Sequence, residues 1–276
     1  MPREDKIMLF LIRLAAAIAV SVLLFIVGYI IIQGLPTLSL RFLLSSPTDM
    51  GRGGGILPGI IGTLTLTLVS ILIATPLGVG TAIFLTEYTR EGMFANLVRF
   101  GTESLAGIPS IIFGLFGFLF FVIRLNMGWS ILSGALTLAS MILPTIVRTS
   151  EEAIRTVPDA YREISFALGA SRWQTVTAIV LPTAGPGIVT GIILGLGRAV
   201  GETAAVIFTA GSSLRIPRSV LDPVRTLPVH FYILAREGIS LNNAYGTAAV
   251  LLIAILLINL SAYLVMHRIS IRNGGG

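Results

Sequence analysis

Six stretches of this 276-residue chain contain no Asp, Glu, Lys or Arg: Leu14–Leu40, Gly53–Thr86, Ser104–Ile123, Leu125–Val147, Trp173–Gly197 and Gly238–Met266. Each can hold the about 20 apolar residues that a helix needs to cross bilayer hydrocarbon. In that medium every backbone amide must be paired within the protein, which leaves helices or a closed barrel. A barrel needs alternating segments of about ten residues, and the sequence shows no such alternation. The chain is therefore expected to be an all-α, polytopic membrane protein with six transmembrane helices. The spans are placed at Ile7–Gln33, Gly59–Leu85, Leu105–Ile123, Ile131–Val147, Gly185–Ala210 and Gly246–Met266. Charged residues make up only 12% of the chain, against roughly 25% in a soluble domain.

The charged Met1–Lys6 segment ahead of an apolar run resembles a secretory leader. The run continues to Ile32 without a small-x-small cleavage site, so it is read as a retained first span. With the N-terminus inside, eleven basic residues fall on the inner side (Arg3, Lys6, Arg13, Arg90, Arg99, Arg148, Arg155, Arg162, Arg172, Arg268, Arg272). Seven fall outside: Arg41, Arg52, Arg124, Arg215, Arg218, Arg225 and Arg236. The bias places both termini in the cytosol. Four of the outer arginines crowd Gly211–Asn243, which suits either the mouth of an anion path or a loop that docks a partner. The Gly- and Pro-rich Gly34–Pro58 reads as a flexible connector. The chain has no cysteine, and its two histidines, His230 and His267, lie in different loops, so neither thiol nor metal chemistry is supported.

The inner segment Arg148–Pro182 is different in kind. Pro158 suits a helix start, Gly169 a left-handed C-terminal cap, and Ser171 the cap of a second short helix that Pro182 would stop. Tyr161, Ile164 and Leu168 fall on one helical face, which makes the first helix a docking element. Within the segment Glu163 precedes Gly169 by six residues, and Gly169 precedes the run Ile179-Val180-Leu181-Pro182 by ten.

The fifth span carries small residues at intervals of four, Gly187, Gly191 and Gly195, with Gly197 and Gly201 in a second register. Such spacing lets helices approach closely. Arg198 and Glu202 lie in the same span, four residues apart and so on one expected helix face. A charge at that depth costs at least about 2.5 kcal/mol, so it faces a cavity or a partner. One reading is an intrahelical ion pair. The other sets the Arg198 guanidinium, a planar fork of donors, against a translocating oxyanion, with Glu202 holding it between turnovers. In Gly107-Ile108-Pro109-Ser110 the expectation is a tolerated proline kink with Ser110 bonded back onto its own helix; a break that frees backbone donors is the alternative. No P-loop, GxSxG, HExxH or CxxC occurs, so energy for active transport would have to enter through a partner at an inner loop.

These motifs make the chain similar to the type I ABC importer permeases, and within them to the permeases of phosphate importers. The most specific parts are the Glu163, Gly169, Ile179, Leu181, Pro182 loop and the stretch Gly197-Arg198-Ala199-Val200-Gly201-Glu202-Thr203. Gly107-Ile108-Pro109-Ser110, Gly54-Gly55-Ile56 and Thr226-Leu227-Pro228-Val229 add to them. The family's EAA triplet reads Glu163-Ile164-Ser165 here.

The resemblance implies a MetI-like permease fold in a bacterial plasma (inner) membrane. It divides the chain into a helix and outer loop at 1–58, a five-helix transporter domain at 59–268 with its coupling loop at about 148–183, and a cytoplasmic tail at 269–276. It further implies a heterodimer with the sister permease PstC, a PstB ATPase dimer and the phosphate-binding protein PstS. ATP and Mg would sit on the ATPase, with no cofactor on this chain, no enzyme activity of its own and no nucleic-acid partner. ATPase coupling would fall to Glu163, Ala167, Leu168, Gly169, Ala170, Ser171, Leu181 and Pro182, and the substrate path to Arg198, Glu202, Thr203 and Ser110. An intramembrane hydrolase using His230 and a passive anion channel built on Arg198 stand as alternatives.

Overall fold

The computed structural model of the chain describes residues 3–90 and 92–274. Of the residues used for orientation, the side chains of Arg3, Lys6, Arg268 and Arg272 lie outside the described set, as do that of His267 and Gly275–Gly276 of the expected tail. Among the described residues, five helical runs are long and apolar enough to cross a membrane: Ile7–Thr37, Leu57–Tyr88, Ile131–Arg155, Arg172–Val200 and Leu241–Ser261. A bent pair, Met93–Ala106 and Ser110–Arg124, passes the same test when taken together and makes six crossings if it is one broken span.

Helix α1 (Arg3–Gly34) packs along α12 (Leu241–Gly274) at the margin of the bundle. After a short helix, α2 (Leu40–Leu44), an antiparallel pair β1 (Pro47–Thr48) and β2 (Gly53–Gly54) leads into α3 (Leu57–Ile83). Thr63, Ser70 and Thr81 of α3 donate back to carbonyls four residues earlier, which removes their hydroxyls from the apolar surroundings. A π-helical turn carries α3 on to Tyr88. The central element is α6 (Ile131–Arg155), capped by Ser130 and buried along most of its length. It packs against α3 on one side and α9 (Leu181–Val200) on the other. Around it lie α4 (Met93–Ala106), α5 (Ser110–Gly117, continued by a π-helical stretch to Arg124) and α10 (Ala204–Thr209). The chain between α6 and α9 forms α7 (Asp159–Ala167) and α8 (Arg172–Thr175), and α11 (Leu227–Arg236) precedes α12.

Four expectations change. The third span does not run straight through Leu105–Ile123: the chain turns by 102° between α4 and α5. Pro109, which has no N–H, stands as the extended cap residue before Ser110, so the helix breaks there rather than kinking. The fifth span is displaced, running from Arg172 to Val200 instead of Gly185 to Ala210. Pro182 does not stop it, because Val176–Val180 forms a π-helical turn whose i→i−5 bonding shifts the register where the proline N–H is missing. The far end stops at Gly201–Thr203 before the separate α10. Finally, Gly34–Pro58 is ordered. Asn243 Nδ2 donates to the carbonyls of Gly51 (2.9 Å) and Arg52 (3.0 Å), pinning the β-hairpin to the start of α12.

Candidate functional site

At one end of the bundle, α7 presents Tyr161, Ile164 and Leu168 to solvent; Leu168 is 83% exposed. The expected helix ends where its residues dictate. Gly169 adopts φ +82°, and its N–H and that of Ala170 satisfy the Phe166 and Ser165 carbonyls. Ser171 then starts α8 with a capping box: its hydroxyl accepts from Gln174 N–H while the Gln174 side chain accepts from Ser171 N–H. Glu163, Ala167, Leu168 and Gly169 are all exposed, Ala170 is half-buried, and Trp173 adds a second exposed apolar side chain on α8. Leu181 packs inward against the cluster of Ala153, Ile154 and Val180, while Pro182 lines a groove beside Tyr161, Ile164 and Ile179. The arrangement is an apolar knob with a polar base, suited to docking into a cleft of another protein.

The base of the knob involves residues that sequence reading did not single out. Arg162, on the face of α7 opposite the exposed residues, forms a forked ion pair with Glu87 at the end of α3, with Nη2–Oε1 2.7 Å and Nε–Oε1 3.1 Å. Its Nη1 and Nη2 also donate to the carbonyls of Val157 (2.7 Å) and Ile154 (3.1 Å) at the end of α6. Both charged side chains are largely buried. Arg172 donates to the Glu87 carbonyl and lies over the Tyr88 ring. Ser165 and Thr175 share a buried hydroxyl bond of 2.8 Å. The only sequence sign of this cluster is that Glu87 ends an apolar run at the same expected side as Arg162; a pair 75 residues apart leaves no spacing signal.

Midway through the bundle, the glycine register resolves into two roles. A Cβ on Gly187 or Gly191 would collide with Ala153 or Thr149, and one on Gly195 would touch Ile146, so these three let α9 lie against α6. Gly197 faces Asn259 of α12, and a Cβ on Gly201 would meet little beyond its own helix. Arg198 sits half-buried in the last turn of α9. The intrahelical pair with Glu202, one of the two readings of this stretch, is not formed: the helix ends between them. The Glu202 carboxylate, one residue ahead of the N-cap Thr203, instead accepts from Ala205 N–H at 3.1 Å and so satisfies a free donor in the first turn of α10. Arg198 has no hydrogen-bond or ion-pair partner among the described residues. Thr203 occupies the unwound stretch, half-buried. Ser110 opens α5, and one turn further on Gly114 packs against Ala204 and Ala205, where a Cβ would approach Ala205 Cα to 2.9 Å. Along the chain the two helix breaks both lie within about a turn of this contact, Ser110 four residues before Gly114 and Thr203 next to Ala204.

At the opposite end from α7, the outer arginines are not equivalent. Arg215 and Arg218 line an open basin of about 980 Å³ with Ser213 and Asp222. Arg225 is buried and donates Nε to the Ser212 carbonyl at 3.0 Å. His230 is buried too, its ring held against Gly51 of the β-hairpin, where a Cβ would come within 2.9 Å of Cε1. Burial first, and the neighbouring Arg225 charge second, push the His230 pKa down from 6.5 to about 4. The imidazole is thus a neutral packing group.

Residues 74–273 match the family described as the binding-protein-dependent transport system inner membrane component. The chain is 38% identical over 274 residues to the probable ABC transporter permease protein YqgI of Bacillus subtilis, covering 94% of this chain and 93% of the relative. It is 34% identical over 263 residues to the phosphate transport system permease protein PstA of Pasteurella multocida, covering 94% and 93%. With PstA 1 of Mycobacterium tuberculosis it shares 39% over 215 residues, 77% of this chain and 70% of the relative. In fold it is similar to a chain of a bacterial ABC transporter involved in import of the acidic polysaccharide alginate, with a TM-score of 0.67 at 19% identity over 97% of each chain. A chain of the inward-facing MetNI methionine ABC transporter gives a TM-score of 0.65 at 22% identity, covering 78% of this chain and 95% of that one. An all-helical bundle with broken spans, an exposed glycine-capped knob and this kinship together make the chain a PstA-type member of the binding-protein-dependent inner membrane transport family, a multi-pass permease subunit of an ABC importer.

Proposed function

We propose that the cargo is inorganic phosphate and that this chain forms half of its path across the membrane. The observation that carries the reading is Arg198: a guanidinium held in the last turn of a membrane-spanning helix with no partner among the described residues, in a family whose PstA relatives are phosphate permeases. Inserting it costs about 2.5–3.5 kcal/mol, a cost that a structural pair would offset and that here is left for an anion to offset. A tetrahedral oxyanion matches the planar fork of guanidinium donors. The start of α5 at Ser110 adds backbone N–H groups released by the break at Pro109. Glu202, engaged with α10, does not compete for Arg198.

In this reading α7 and its Gly169 cap dock into the PstB ATPase dimer, PstC supplies the other half of the path, and PstS delivers phosphate at the outer end. Both termini then lie in the cytosol, on the same side as α7. ATP and Mg act on PstB; this chain contributes motion and a path. Closure of the ATPase pair pushes the docked helices together and opens the permeases outward, and product release resets them. The test is uptake by the complete complex in proteoliposomes with ATP enclosed and loaded PstS outside. Phosphate should accumulate and sulfate should not. Equal uptake of both anions, or phosphate entry without ATP, contradicts the proposal.

A further inference from the structure

We propose that Glu87, Arg162 and Arg172 form a strut that carries displacement of α7 directly into α3, making them positioning residues for coupling; the inference rests on the reading that α7 receives the ATPase. Helix α7 is nine residues long, and its ends are joints: Thr156–Pro158 on one side, and Gly169 with φ +82° on the other. A push on Tyr161, Ile164 and Leu168 would swing so short a helix about those joints unless its inner face were held. Arg162 holds it. Besides Asp159 on its own helix, the guanidinium grips three points beyond α7: the Glu87 carboxylate after α3 and the Ile154 and Val157 carbonyls at the end of α6.

The chemistry of the grip matters. Apolar side chains slide past one another, whereas a forked guanidinium–carboxylate pair fixes distance and angle together. Buried ion pairs contribute little net stability against well-packed apolar residues, so their value here lies in geometry. Arg172 locks the same acidic residue from its backbone side at 3.0 Å, which ties α8, and with it the start of the long Arg172–Val200 helix, to the same point. The other end of α3 is bonded as well: Thr63 Oγ1 accepts the Leu227 N–H at the start of α11, at 2.8 Å. Thr63 and Glu87 are separated by about 36 Å of helix. A displacement delivered at Glu87 is therefore applied to a rod whose far end contacts the outer loops.

The experiment uses the full complex with its ATPase, sister permease and binding protein, comparing wild type with Glu87→Gln and Arg162→Lys. Copurified ATPase, ATP hydrolysis stimulated by loaded binding protein and phosphate uptake are measured on each. The strut predicts that ATPase association and stimulated hydrolysis persist while phosphate moved per ATP falls by about tenfold. Because the chain has no cysteine, Glu87→Cys with Arg162→Cys can be bridged by a short bis-maleimide, and the bridge should restore the ratio. A ratio that stays at the wild-type value in both conservative variants, whether the two rates hold or fall together, overturns the strut, as does a bridge that fails to restore it. Failure of the underlying reading looks different: Leu168→Asp would then leave ATPase association intact.

Discussion

Arg198 and Glu202 show how one short stretch can mislead at the level of single residues. Four-residue spacing makes them neighbours on any continuous helix, and only the helix end at Val200 separates them. Nothing in the sequence requires that end: Gly201 at φ −87° is in ordinary helical space. Just past that end α10 lies close against Gly114 of α5, a tertiary contact that spacing does not show. Because Glu202 satisfies a free donor in the first turn of α10, Glu202→Ala should lower stability by about 1 kcal/mol while Glu202→Gln, which keeps an acceptor oxygen, should be close to neutral, as read by thermal melting in detergent. His230 gives a pH prediction of definite sign. Its folded pKa of about 4 lies below the unfolded 6.5, so the unfolded chain binds a proton that the folded chain does not. Stability therefore falls as pH drops from 6.5 towards 4, by up to about 3 kcal/mol. Melting curves at pH 7 and 4.5 should show a smaller acid loss in His230→Gln than in wild type.

At the scale of elements, local signals were legible wherever one segment decides its own shape. Gly169, Ser171 and the apolar face of α7 could be read from spacing because caps and helical faces are local devices. Gly169→Val should cost about 1–2 kcal/mol, since its conformation is left-handed while no neighbour stands within 4 Å, and ATPase copurification should drop with it. The glycine stripe of α9 was legible as a packing surface for Gly187, Gly191 and Gly195. Gly191→Val should destabilise by about 1–3 kcal/mol through collision with Thr149, whereas Gly201→Ala should change melting within about 0.5 kcal/mol. The course of helices through prolines was not legible. Pro182 is accommodated by a π-helical turn and Pro109 breaks its helix, yet both sit in apolar runs.

Across the whole molecule, two ends and a middle divide the work. The glycine-capped knob is bolted through Arg162 to α3 and α6 at one end, and the β-hairpin, α11 and the start of α12 close the other. Between them lie the two helix breaks, at Pro109 and at Gly201–Thr203, and Arg198, which has no partner among the described residues. Most of the apolar spans and the capped loop between α6 and α9 could be read in advance because hydrophobic runs and caps are written in consecutive residues. The bolts could not: Arg162 with Glu87, and Asn243 with the Gly51 carbonyl, join residues 75 and 192 positions apart. The most direct measurement is phosphate uptake by the complete complex carrying Arg198→Gln, with ATPase copurification checked on the same preparation. The account predicts intact assembly with uptake reduced by at least about tenfold, as expected when a charged group that meets an anion is removed. Full uptake with intact assembly would show that Arg198 does not meet the cargo.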